Sequence, residues 1–181
     1  PRVQFDPNSY LIGHAVQAIE LAKKKDLPAR LDHPKGGIIF YPDGREALIE
    51  MTERQLYILS SVPIQQKEIS IKTLKSPPAA GSGTQSMAQN ALIWQLTLWS
   101  ARCRLPQTVQ PTDLVVLRHW PNMTRLQGFP HAIRIAALLV QGPRSLLNTA
   151  EVLGIPQRLV FAFYSAASMI GLALNSSRAA D

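Results

Sequence analysis

Between Gly142 and Pro156 the chain is punctuated so closely that two short helices joined by a tight turn are the natural outcome. Ser145 follows Gly142 and Pro143, at the place where a helix N-cap belongs. From that cap Leu146, Leu147, Ala150 and Leu153 recur at helical spacing. Gly154 then ends the helix, because glycine alone reaches positive φ at little cost. Pro156 opens the next helix in its first turn, where a missing N–H costs nothing. Leu159, Val160, Phe163, Ala167 and Ile170 give that helix a buried stripe.

With Ile135, Leu138 and Leu139 in a helix before Gly142, residues 134–174 read as helix, turn, helix, tight turn, helix and the start of a strand. This stretch resembles the winged helix-turn-helix domains of bacterial repressors of the MarR and ArsR type. The likeness rests on Ile135, Leu138, Leu139, Gly142, Ser145, Ala150, Leu153-Gly154-Ile155, Val160, Phe163, Ala167, Ile170 and Gly171-Leu172. The resemblance implies a three-helix core and a wing entered at Gly171-Leu172. The same core serves in DNA reading, dimerisation and docking, so it does not choose among them. Residues 1–75 match no fold that we can name.

The chain carries a net charge of +7, unevenly spread. Residues 1–88 balance at +2; residues 89–181 balance at +5, with eight arginines, three acids and no lysine. Arginine suits planar contact with phosphate or carboxylate, so the C-terminal half is expected to meet an anionic partner. The single cysteine, Cys103, excludes an internal disulfide and a cysteine-based metal site. It is expected to be a buried small hydrophobe on a helix, in a chain from a reducing cytoplasm. The chain begins at Pro1, so it is expected to be a fragment or a processed product. Residues 159–177 carry no charge, but the run is interrupted by polar residues and too short to span a bilayer, so membrane binding is not expected.

Residues 1–75 read as a small α+β module. A helix is expected from Ser9 to Lys25, strands at 29–32, 36–41 and 45–51, a helix from Glu53 to Ser61 capped by Thr52, and a strand at 68–74. Lys23, Lys24 and Lys25 suit the C-terminal end of the first helix, and His14 should lie partly buried on its apolar side. Asp32 and His33 are neighbours on a strand and face opposite ways, which counts against a catalytic pair. Residues 76–88, rich in Pro, Gly, Ser and Ala and uncharged, read as a flexible linker. Residues 89–181 then form a mainly helical domain. It opens with a helix from Gln89 to Arg104 that is apolar on more than one face, then a strand at 113–118 and a short helix started by Pro121. The fold class expected is α+β.

Three functions are open at this stage, none of them enzymatic. The four histidines lack metal-ligand spacing and no nucleophile or phosphate-loop motif occurs, so no catalytic residue, metal or cofactor is assigned. The leading expectation is a regulatory protein whose third-helix face, with Arg144, Gln157, Arg158, Phe161 and Ser165, docks a protein partner or dimerises. The second is a DNA-binding regulator using the same face. The third is a receptor for an anionic nucleotide built from Arg118, His119, Trp120, Arg125, His131 and Arg134, since such a mixture can stack on a base and pair with phosphate.

Overall fold

The computed structural model describes residues 3–76, 81, 83–122 and 128–176. It is an α+β chain of two compact units, Pro7–Ser100 and a second unit that combines Pro1–Asp6 with Ala101–Asp181. The first strand, β1 (Gln4–Phe5), belongs to the second unit.

The unit of residues 7–100 opens with a 3-10 turn at Pro7–Ser9 and α1 (Leu11–Lys25). It continues through β2 (Ala29–His33), β3 (Gly36–Phe40), β4 (Glu46–Ile49), α2 (Glu53–Ser61), β5 (Ser70–Thr73), β6 (Gln85–Ala88) and α3 (Gln89–Ala101). The five strands form one antiparallel sheet in the order β5-β2-β3-β4-β6, with α1 packed against β2, β3 and β5. Local chemistry accounts for most of these bounds. Thr52 and Gln55 form a reciprocal capping box on α2. Gly44, at φ 68°, closes the Pro42–Gly44 turn with its N–H on the Tyr41 carbonyl. Gly13 is needed for a different reason: a Cβ there would lie 2.6 Å from both Asn8 Cα and the Pro7 carbonyl oxygen.

The expected division at residues 76–88 does not hold. Residues 77–80 and 82 lie outside the description, but Gln85–Ala88 pair residue by residue with β4, and Gln89 N–H continues to the Arg45 carbonyl. Directly afterwards α3 packs on α2: Ser100 Oγ donates to the Ser60 carbonyl at 2.9 Å, and Trp99 meets Tyr57 edge to face at 5.3 Å. The boundary therefore falls after Ser100, and α3 is apolar on several faces because it is core of the first unit, with Leu92, Trp94 and Leu96 fully buried. The helix also ends earlier than expected. Arg102 and Cys103 both take positive φ, so Cys103 sits half-buried in a turn instead of on a helix.

The second unit continues with β7 (Leu105–Pro106), which pairs in parallel with β1, and β8 (Leu114–Leu117). Pro121 and Asn122 are not helical, and residues 123–127, Arg125 among them, lie outside the description. Three helices follow, α4 (Ala132–Leu139), α5 (Leu146–Leu153) and α6 (Gln157–Met169), with a two-residue strand β9 (Arg144–Ser145) before α5 and β10 (Ala173–Asn175) at the end. Ser145 caps α5 by accepting from Asn148 N–H at 3.1 Å, and Gly154 ends it at φ 62°. The sheet order is β10-β8-β9, so its central strand precedes all three helices. β10 pairs with β8 from Ala173↔Leu117 to Asn175↔Val115, and the two are joined through the helices instead of by a hairpin.

Candidate functional site

A helix that reads or docks must show its outward face, and most of α6 does not. Only Gln157 and Arg158, in its first turn, are exposed; every residue from Val160 to Ala167 is buried. Phe161 keeps 7% of its surface and Ser165 none. The cover comes partly from the segment that precedes β7: Ser165 Oγ donates to the Arg104 carbonyl at 2.8 Å, and β7 packs along α6. The Arg104 guanidinium itself stands 5.5 Å from the centre of the Phe5 ring on β1. The expected face of Arg144, Gln157, Arg158, Phe161 and Ser165 is thus broken up. Phe161 and Ser165 are core, and for Ser165 the cover is the chain before β7.

The other expected residues are dispersed. Arg144 is half-buried on β9, and its Nη1 donates to Asn148 Oδ1 at 2.8 Å, which ties β9 to the first turn of α5. Arg134, exposed on α4, donates through Nη2 to the Leu153 carbonyl at 2.8 Å and so caps the end of α5. His131 takes the left-handed conformation before α4, with its Nδ1 3.5 Å from Arg134 Nη1. Arg118, His119 and Trp120 follow β8; all three are exposed, Trp120 by 49%. Their segment is pinned where Arg118 N–H donates to the Leu172 carbonyl. His131 and Arg134 are brought together, and the other members of the expected nucleotide cluster stand on a separate segment or, for Arg125, outside the description.

What the second unit does present is apolar surface on α4 and α5. Ile133 is 63% exposed, Val152 56% and Val140 36%. The Arg134–Leu153 bond, between the chain neighbours of Ile133 and Val152, fixes α4 against the end of α5. Beside it, at the α5–α6 turn, lies an open groove of about 410 Å³ lined by Leu147, Ala150, Glu151, Gly154, Ile155 and Gln157. The sequence held a signal for Val152 and Ile133: both are large aliphatics that fall off the buried stripes of their own helices.

In the first unit the charged groups have partners of their own. Arg30 donates to Asp32 and, through both terminal nitrogens, to Glu50, with Nη1–Oε1 at 2.7 Å; Lys72 reaches Asp32 at 2.8 Å. Burial pushes the Asp32 carboxyl up, but hydrogen bonds from Lys72 and Arg30 outweigh it and hold the group below its ordinary range. His33 Nδ1 accepts from Lys35 N–H, so Asp32 and His33 each have a local role. Among the described residues no group of three or more His, Cys, Asp and Glu could hold a metal ion, and no helix is long and apolar enough to cross a membrane.

His14 is buried more deeply than its sequence position suggests, at 1% exposure, and neither ring nitrogen has a hydrogen-bond partner among the described residues. Burial lowers its pKa from 6.5, so the folded chain holds it neutral. A base whose folded pKa is depressed contributes its full stability above the unfolded value and loses it as pH falls below. Urea unfolding across that range should therefore show stability falling below pH 6.5, with a shallower fall in His14→Leu. Equal slopes in both proteins would show that His14 does not charge on unfolding.

Comparison with models of protein families, with curated proteins and with solved structures finds no match.

Proposed function

We propose that the chain is a non-enzymatic regulatory protein that works by protein–protein contact through the α4–α5 side of its second unit. The observation that carries this reading is the contrast between a third helix buried from Val160 to Ala167 and large aliphatic side chains exposed beside it, Ile133 at 63% and Val152 at 56%. Large aliphatics left exposed on two helices that an arginine fastens together suit a docking surface better than a solvated one. The three helices, with a three-stranded sheet behind them, support a winged-helix-like reading of residues 134–174. In this reading the strand beside β10 comes from upstream, at β8, where the family pattern supplies it after the third helix. The test is capture of partners by the full chain and by a variant carrying Ile133→Asp and Val152→Asp. Partners lost in the variant, with unchanged thermal unfolding, support the reading; the same partners on both proteins sink it.

Nucleic-acid binding is a second reading, favoured by the excess of arginine over acid in residues 89–181 and by exposure of Gln157 and Arg158. Only the first turn of α6 would then reach a groove, which leaves little room for base recognition. The nucleotide reading keeps Trp120 and Arg118 as exposed candidates on one segment.

A further inference from the structure

The five-stranded sheet of the first unit ends at β5, which pairs with β2 alone. Leu74 N–H donates to the Pro28 carbonyl at 2.8 Å, which makes Pro28 and Leu74 a hydrogen-bonded pair. Such pairs alternate along an antiparallel ladder, so Arg30↔Lys72 and Asp32↔Ser70 are bonded pairs as well. The backbone N–H and C=O groups of Ile71 and Thr73 therefore point the other way, off the edge of the sheet, and among the described residues they have no partner. Ser70, Lys72, Thr73 and Lys75 are exposed along this edge, and Ile71 is half-buried. Charge collects at one end of it. Helix α1 packs on β5, and the short link from its last residue runs into the Pro28–Leu74 bond, which brings the end of α1 to the end of β5. Lys23, Lys24 and Lys25 arrive there from α1 and Lys75 from β5; all four are exposed, and among the described residues none makes an ion pair. Asp26 is the one acid in residues 23–28 and 72–76. The dipole of α1 accounts for its own lysines but not for Lys75 beside them.

We propose that the β5 edge takes up an extended acidic segment of a partner protein as an added strand. Its backbone pairs with Ile71 and Thr73, and its carboxylates meet Lys75 and the lysines that end α1. Charge decides the occupant. A second copy laid on β5 would set one basic edge against another, which is how lysines keep a sheet edge from pairing with itself. The same lysines attract a strand that carries carboxylates, and the unused N–H and C=O groups give it a register that a purely electrostatic patch lacks. This surface belongs to the first unit and does not depend on the α4–α5 reading, so either can fail alone.

The test uses the full chain and a fluorescent peptide of alternating glutamate and valine, followed by anisotropy at physiological salt and by hydrogen exchange of the backbone amides. Thr73→Pro removes an N–H that the ladder with β2 does not use, a change that a strand edge tolerates. A second variant, Lys24→Glu with Lys75→Glu, reverses charge and leaves the backbone of β5 intact. The expected result is binding that slows exchange at the Ile71 and Thr73 amides and weakens by about tenfold or more in either variant. Thermal unfolding separates loss of contact from loss of fold; if Thr73→Pro does not fold, the exchange data and the lysine variant decide. Absence of binding shows that the lysines only guard the edge, and overturns the proposal. Binding that leaves the Ile71 and Thr73 amides exchanging as before, or that survives the lysine changes, overturns it too. So does a DNA duplex that binds more tightly than the peptide and is released by the lysine changes but not by Thr73→Pro, since the patch would then serve nucleic acid.

Discussion

Truncating Phe161 to alanine is expected to destabilise the protein by about 3–5 kcal/mol, the usual cost of emptying a buried aromatic site. The side chain is 7% exposed, within a run of buried residues from Val160 to Ala167. One turn further on, Ser165 is buried too and donates to the Arg104 carbonyl, so this stretch of α6 is interior. A Phe on an open recognition face would behave differently, since surface substitutions away from special features cost within about 0.5 kcal/mol. Urea unfolding of the variant distinguishes the two. A large loss of stability supports burial of α6, and a change near zero would return Phe161 to the docking surface.

The second large effect is expected at Arg30. Its guanidinium holds Glu50 and Asp32 at once, and these hydrogen bonds, to Glu50 first, keep it firmly protonated. Arg30→Met would leave Glu50 without its partner and Asp32 with Lys72 alone. Breaking a fully buried pair costs about 3–5 kcal/mol; these groups are about one quarter exposed, so about 2–3 kcal/mol is expected. Gly37 gives this prediction a sharper form. A Cβ there would lie 2.8 Å from Arg30 Nη2 and 3.0 Å from a Glu50 carboxylate oxygen. Gly37→Ala should therefore displace the ion pair and cost about 1–3 kcal/mol, but less once Arg30 is already Met. Additive losses in the double-mutant cycle would show that Gly37 does not make room for the pair.

The elements that a reader can place from the sequence are those closed by near neighbours. Thr52 and Ser145 cap helices through residues three positions on, and Gly44 and Gly154 mark turns that need positive φ. Nothing in Gln85–Ala88 marks a strand, and the order of β6 comes from backbone pairing with β4. The sheet behind the three helices has the same origin, since β8 meets β10 only across the whole helical segment. For α6 the signal was present. Beyond its stripe, Phe161, Ala162, Tyr164 and Ala166 make the helix apolar all round, which is the pattern of a buried helix and not of a reading one. The candidate surface was only half legible: the stripes of α4 and α5 leave Ile133 and Val152 outside, but the Arg134–Leu153 bond that fastens the two helices is not a sequence pattern.

The central claim, contact with protein and not base reading, is tested most directly by titrating a fluorescent mixed-sequence DNA duplex with the full chain and with Arg158→Ala across a salt series. A chain of charge +7 will hold DNA weakly at low salt. The account predicts that this affinity disappears at physiological salt and that Arg158→Ala weakens it no more than the loss of any other exposed arginine. Affinity that survives physiological salt and collapses on Arg158→Ala would contradict it.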